Sequence, residues 1–336
     1  MAFSLTNNLP AVDQYDVNKY IVSPLFLGGE LLSYMDVLPN IKGTTKIDHL
    51  GKLTKITKGF NNGAFAGAGS GTFSAVTIAP ARVEAEVEFR AHSLFGKMKG
   101  QLMKAGHDFD NIDGSIVKTA LLGLIGSGIK HDFNRQIIFN DVNSSSSNFD
   151  MYDGLFRTAK EAGCTMLTNA DLSGSANDAA LAAGGGIEIL ADMYAAASAE
   201  LKAAPGRVFM VNGAIADDYQ KTLETGSNYA AAAYGALVDG GKMSYRGIPI
   251  VVRRDWDAVV TADHAALSFT SNATEDYCAI LTCQNAFIVG TDFDETRAEQ
   301  WYSQDNKSYR FRVSYMVGCA LPNSELAVVY TPDAIA

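Results

Sequence analysis

"KLTKITKGFNNGAFAGAGSGTFSAVTIAPARVEAEVEFR", residues 52–90, decides how the rest of the chain is read. Five glycines fall within residues 58–71, and a β-like run succeeds them at once. A phosphate-binding loop needs GxxxxGK[ST], with the lysine reaching the terminal phosphates. Residues 63–72 instead end in Gly69-Ser70-Gly71-Thr72 with no lysine. Residues 73–90 have the alternation of a strand, so there is no helix N-terminus to hold an anion. Gly67, Gly69 and Gly71 also miss the GxGxxG spacing of dinucleotide folds. The glycines therefore belong to something other than a nucleotide site.

The flanks supply an alternative. Counted from Lys42, five lysines fall in 17 positions. In "RVEAEVEFR" (82–90), Val83, Ala85, Val87 and Phe89 share one strand face and Glu84, Glu86 and Glu88 the other. Three carboxylates on one face repel unless cations lie close, and Lys52, Lys55 and Lys58 are the natural candidates. Residues 46–90 then read as one long hairpin with the glycine-rich segment at its tip. The alternative is that each strand joins an ordinary sheet with its charges in water.

Outward from this stretch, residues 1–45 read as an arm whose short apolar clusters are broken by Pro10, Pro24, Gly28, Gly29, Pro39 and Gly43. Such a segment closes no core alone, and its leucines need a second surface. Residues 113–140 read as one long helix, because Val117, Leu121, Ile125, Ile129, Phe133 and Ile137 recur every four residues. Gly123, Gly126 and Gly128 predict a bend, a close contact or a break into two helices. After "NSSSSN" (143–148), helices and strands alternate: "IEILADMYAAASAELKAA", "GRVFMVNG", "AIADDYQKTLETG", "GIPIVVRR", "YCAILT" and "AFIVG" predict a mixed sheet flanked by helices. "SYRFRVSYMVGCAL" and "ELAVVY" are strong strands that close the chain. No repeat of fixed period is present.

Composition narrows the function. The 336 residues are 47% hydrophobic and 19% charged, enough for a large core. No apolar run reaches the ~18 residues of a membrane span, and the first residues lack a signal-peptide pattern, so a soluble chain made in the cytoplasm and no membrane partner are expected. Residues 1–135 hold 14 Lys and Arg against 12 Asp and Glu, whereas 136–336 hold 13 against 25. This acidic second half argues against a nucleic-acid reader, which needs clustered cations. Cys164, Cys278, Cys283 and Cys319 have neither zinc nor CxxC spacing and read as small buried residues. The five histidines show no metal spacing, and the serine-glycine stretches make no nucleophile elbow. No catalytic residue, metal or cofactor is assigned. "YRGIPIVVRRDW" (245–256) leaves two readings open: Arg253, Arg254 and Trp256 form a binding hot spot, or they end a core strand in a salt-bridged turn.

Taken in series, these elements resemble the major capsid proteins of tailed double-stranded DNA phages, of the Hong Kong 97 type. The order is an irregular arm, a two-stranded E-loop, a spine helix ("SIVKTALLGLIGSGIKHDFNRQIIFND"), an α/β domain and closing strands ("WYSQDNKSYRFRVSYMVGCALPNSELAVVY"). The resemblance implies an α+β capsid fold with an N-terminal arm at 1–45 and an extended E-loop hairpin at 46–90. It further implies a peripheral domain at 91–148 and 300–336, with a spine helix at about 114–140, and an axial domain at 149–299. It implies a structural, non-enzymatic protein forming hexamers and pentamers of an icosahedral shell around packaged DNA in the virion. Because the chain begins almost directly with the arm, a separate scaffolding protein is implied beside a portal. Some relatives join an E-loop lysine to a neighbour's asparagine; Lys52, Lys55 and Lys58 are available, but nothing in the sequence fixes a partner. The contacts between copies are expected at Lys52, Lys55, Lys58, Phe60, Phe65, Gly67, Gly69, Gly71, Glu84, Glu86, Glu88, Arg253, Arg254 and Trp256. An encapsulin-like compartment, enclosing enzymes in a similar shell, is the alternative; a nucleotide-dependent αβ enzyme is the second.

Overall fold

The computed structural model describes residues 31–51, 56–57, 73–90, 116–144, 146, 148–172, 181, 184–225, 243–262, 277–292 and 296–335. In chain order the first half contains β1 (Asp36–Leu38), β2 (Thr45–Leu50), β3 (Phe73–Ile78), β4 (Ala81–Arg90), α1 (Ile116–Phe139), α2 (Leu155–Glu161) and β5 (Thr165–Leu167). Then come α3 (Gly185–Ala196), α4 (Ala199–Ala203), β6 (Arg207–Asn212), α5 (Gly213–Thr225), β7 (Ser244–Tyr245), β8 (Ile248–Arg253) and α6 (Arg254–Ala262). The chain closes with β9 (Ala279–Cys283), β10 (Ile288–Thr291), β11 (Arg297–Ser303), β12 (Ser308–Ala320) and β13 (Ala327–Tyr330).

The 13-residue β12 organises the first sheet. β4 runs antiparallel along one edge, from Ser308 opposite Arg90 to Val317 opposite Ala81. On the other edge β11 pairs with Ser308–Ser314 and β10 takes over at Val317–Ala320, with β1 parallel outside β10. Strict alternation in β12 sends Tyr309, Phe311, Val313, Tyr315 and Val317 inward, all buried. The apolar stripe of α1 covers that face: Leu121, Ile125, Ile129, Phe133 and Ile137 are buried, and the Phe133 ring meets Tyr315 edge-on at 6.2 Å. The helix is continuous for 24 residues, about 36 Å. Neither the break nor the close contact occurs where the structure tests them: a Cβ added at Gly123 or Gly128 would meet nothing within 4 Å.

The second sheet has the order β5-β13-β9-β6-β8-β7, with β6 parallel to β8, β13 parallel to β5, and the other pairs antiparallel. This is the mixed sheet expected, and β6, β9 and β13 are buried almost throughout, as the central strands of a covered sheet must be. Two strands sit elsewhere than expected. "AFIVG" forms β10, which leaves the mixed sheet for β12. "ELAVVY" forms β13, which does not return with β11 and β12 to the sheet of β4 but pairs with β9 and β5. A segment assigned to the arm likewise supplies β1 to the first sheet. Each is a long-range pairing that local alternation does not encode.

Candidate assembly surface

β2 and β3 form a two-stranded ladder of six pairs, from Thr45 opposite Ile78 to Leu50 opposite Phe73, which among the described residues pairs with neither large sheet. Two strands alone are marginally stable in water, so the root must be held. Ile78 is fully buried and packs with Ile41, Ile288 and Ala320 in a small core separate from the main one. The seat is a notch in β10 and β12. Gly290 and Gly318 are paired across these strands. A Cβ at Gly290 would lie 2.8 Å from Ile41 Cδ1 and 3.1 Å from Ile78 Cγ2. At Gly318 it would lie 3.0 Å from Pro80 Cα and 3.2 Å from both the Ala79 carbonyl and Ile78 Cγ2. Beyond β2 in the chain, Ile56 is exposed. Lys52, Lys55, Lys58, Phe60, Phe65, Gly67, Gly69 and Gly71 lie outside the described residues.

The described part of the hairpin closes on β3, not on β4, and the lysines expected opposite Glu84, Glu86 and Glu88 lie outside the described residues. The cations opposite β4 come from β12. Arg312 Nε donates to Glu86 Oε1 at 2.7 Å, and Glu88 Oε1 accepts from Ser308 Oγ at 2.5 Å and Arg310 Nη2 at 3.5 Å. These bonds, the serine's first, hold the Glu88 carboxyl below its ordinary range. Glu84 stands opposite Ser314, to which Arg82 also donates at 3.4 Å. The signal was present in "RFR", whose alternation puts Arg310 and Arg312 on one face. The outer edge of β4 carries no ladder among the described residues, and carboxylates along such an edge oppose indiscriminate strand addition. Beside it a groove of about 600 Å³ runs between β4 and α1, lined by Val83, Val87, Phe89, Leu124, Ile129 and Asp132 among others.

"RRDW" proves to be a strand end and a helix start. Trp256 is 0% exposed and wedges against Phe139 and Phe156 at 5.9 and 6.1 Å, tying α6 to α1 and α2. A side chain so placed has no surface to offer a neighbour, which corrects its expected contact role. Arg253 is buried and pairs with Asp255 at 2.8 Å. Only Arg254 of the three faces solvent, where it grips Asp217 through both terminal nitrogens at 2.7 and 3.2 Å. The spacing Trp256, Val259, Val260, all buried, is the helical signature that marks the tryptophan as core.

Among the described residues no group of three or more His, Cys, Asp or Glu could hold a metal, and no helix is long and apolar enough to cross a membrane. Cys164, Cys278 and Cys283 are buried and Cys319 half-buried, and desolvation pushes the Cys164 and Cys319 thiols up to about 12.

No family model matches the chain, and no curated protein matches its sequence. Solved structures do match. A chain of the satellite phage P4 procapsid aligns with a TM-score of 0.58 at 10% identity, covering 93% of this chain and 97% of that one. A chain of Mycobacterium phage Ogopogo gives 0.57 at 14% identity, covering 90% and 91%. A chain from the capsid of an empty GTA particle gives 0.53 at 11% identity, covering 99% and 95%. At such identities the likeness is one of fold, and it runs nearly end to end. The chain therefore has the fold of phage capsid proteins. The α+β architecture is consistent with the Hong Kong 97-type fold.

Proposed function

We propose that this chain is a structural major capsid protein, without enzymatic activity. Its copies form hexamers and pentamers of an icosahedral shell around packaged double-stranded DNA. Assembly takes place in the host cytoplasm with a separate scaffolding protein and a portal, and the product is the capsid of the virion. The observation that carries the reading is the β2–β3 hairpin, which among the described residues pairs with neither large sheet and rests on a buried root. A ladder of two strands gains stability when another surface covers it, and adjacent copies supply that surface many times over in a closed shell.

In this reading the arm at 1–45, the E-loop at 46–90, a peripheral unit built on α1 and β12, and an axial unit built on the six-stranded sheet are the working parts. Contacts between copies run through Lys52, Lys55, Lys58, Phe60, Phe65, Gly67, Gly69 and Gly71, with Glu84, Glu86, Glu88 and Arg254 as solvent-facing charges available to a neighbour. Glycines at the tip tolerate the differing neighbour geometries of hexamers and pentamers. Negative-stain electron microscopy of the purified protein tests this. Rings of six or closed shells are expected; uniform monomers at every concentration overturn it.

A further inference from the structure

The β7–β8 hairpin turns through two residues, Arg246 and Gly247, between the facing pairs Ser244–Pro249 and Tyr245–Ile248. Both have positive φ, 49° and 76°. Such a two-residue turn favours Asn-Gly or Gly-Gly, because a long side chain is strained in the left-handed region. Arginine is thus placed against the preference of its own turn, which points to a role for the side chain beyond local stability.

The guanidinium lies over two aromatic faces, 4.8 Å from the Tyr194 ring of α3 and 5.4 Å from Tyr245. Stacking of this kind fixes the plane of the guanidinium and leaves its N–H edges free for a bidentate oxyanion. A second cation shares the platform: Lys202 Nζ of α4 is 5.3 Å from the same Tyr194 ring. A third, Arg207, donates to the Lys202 carbonyl. None of the three pairs with a carboxylate among the described residues, whereas Arg157, Arg253, Arg254, Arg310 and Arg312 all do. Three unneutralised cations have gathered at one corner of the sheet, in a half of the chain with 25 acidic against 13 basic residues.

We infer that this corner is an oxyanion receptor completed by a carboxylate of a second copy of the chain, an inference that rests on the self-assembly proposed above. The charge balance selects the ligand. A phosphate backbone approaching this half meets a large acidic surplus, while a second copy presents that same surplus as the complementary partner. Arg246 forks the carboxylate, and Lys202 and Arg207 supply the surrounding positive field.

Zero-length carbodiimide coupling of wild-type protein tests it, using an equal mixture of isotopically light and heavy chains and sedimenting the same sample to score assembly. The carbodiimide activates a carboxylate, and a lysine amine in contact with it forms the amide. The expected result is a light–heavy crosslink between Lys202 and an Asp or Glu peptide in the assembled fraction. Arg246→Gln should lower its yield at least three-fold with unchanged circular dichroism. If Arg246→Gln fails to fold, Arg246→Lys, which keeps the charge without the planar fork, is read the same way. Assembled protein in which Lys202 is unlinked, or linked only within its own chain, overturns this site and leaves the shell reading standing. Protection of Lys202 that appears only on adding duplex DNA likewise overturns it, in favour of phosphate. No assembly at any concentration overturns both.

Discussion

Gly290 and Gly318 face each other across β10 and β12, and together they form the notch in which Ile78, at the root of the hairpin, is buried. Without side chains at either position the backbone of Ala79 and Pro80 comes down onto the sheet. The hairpin is thereby fixed at its base although no third strand pairs with it among the described residues.

Gly318→Ala places a Cβ 3.0 Å from Pro80 Cα, a backbone atom that cannot swing aside. Overpacking of this kind costs about 1–3 kcal/mol. Denaturant unfolding should show a loss in that range. Hydrogen exchange should show the amides of β2 and β3 opening before those of β12; unchanged protection in the hairpin would refute the notch.

Gly128→Ala is expected to act in the opposite direction. The position lies inside α1 with open space around the added methyl, so only the backbone entropy of glycine is removed, worth about 0.5–1 kcal/mol. A higher urea midpoint checks it. A lower one would mean that another surface packs against this side of the helix in the measured state.

Trp256→Ala and Arg254→Ala separate the two halves of "RRDW". Loss of the fully buried indole and its contacts with Phe139 and Phe156 should cost about 3–5 kcal/mol. Loss of the exposed Arg254–Asp217 pair should cost less than about 1 kcal/mol. Similar losses for the two would contradict their placement.

Two carboxylates should titrate with opposite signs. Burial raises the Asp153 carboxyl, so its charged form weakens the fold, and that cost is relieved as pH falls through the folded value toward 3.8. Asp153→Asn keeps an acceptor for the Val142 amide and is expected to raise stability at pH 7, with the gain shrinking in acid. Glu88 is held low by Ser308 and Arg310. Its contribution is present above 4.5 and lost as pH falls through the lower folded value, so Glu88→Gln should flatten that part of the acid profile. Urea midpoints of both variants between pH 7 and pH 3 are the measurement.

Range separates the features that were legible in the sequence from those that were not. The four-residue recurrence from Leu121 to Ile137 is a local pattern, and it implies both the helix and its buried face. The same holds for the split of β4 into an apolar and a carboxylate face. The partner of that carboxylate face lies more than 220 residues away in β12, and nothing in residues 82–90 states the distance. The notch was hidden for a similar reason, since Gly290 and Gly318 read singly as weak spots in two strands and acquire meaning only when paired. The setting of Arg246 is not legible in its neighbours along the chain, because its aromatic platform is assembled from α3 and β7.

The central claim is that the hairpin is completed by sister copies, and deleting residues 59–71 tests it most directly. Sedimentation velocity and electron microscopy of the deletion variant are expected to show folded, soluble subunits that no longer close into shells, beside wild-type protein that does. Shells of unaltered size and yield from the deletion variant would contradict it.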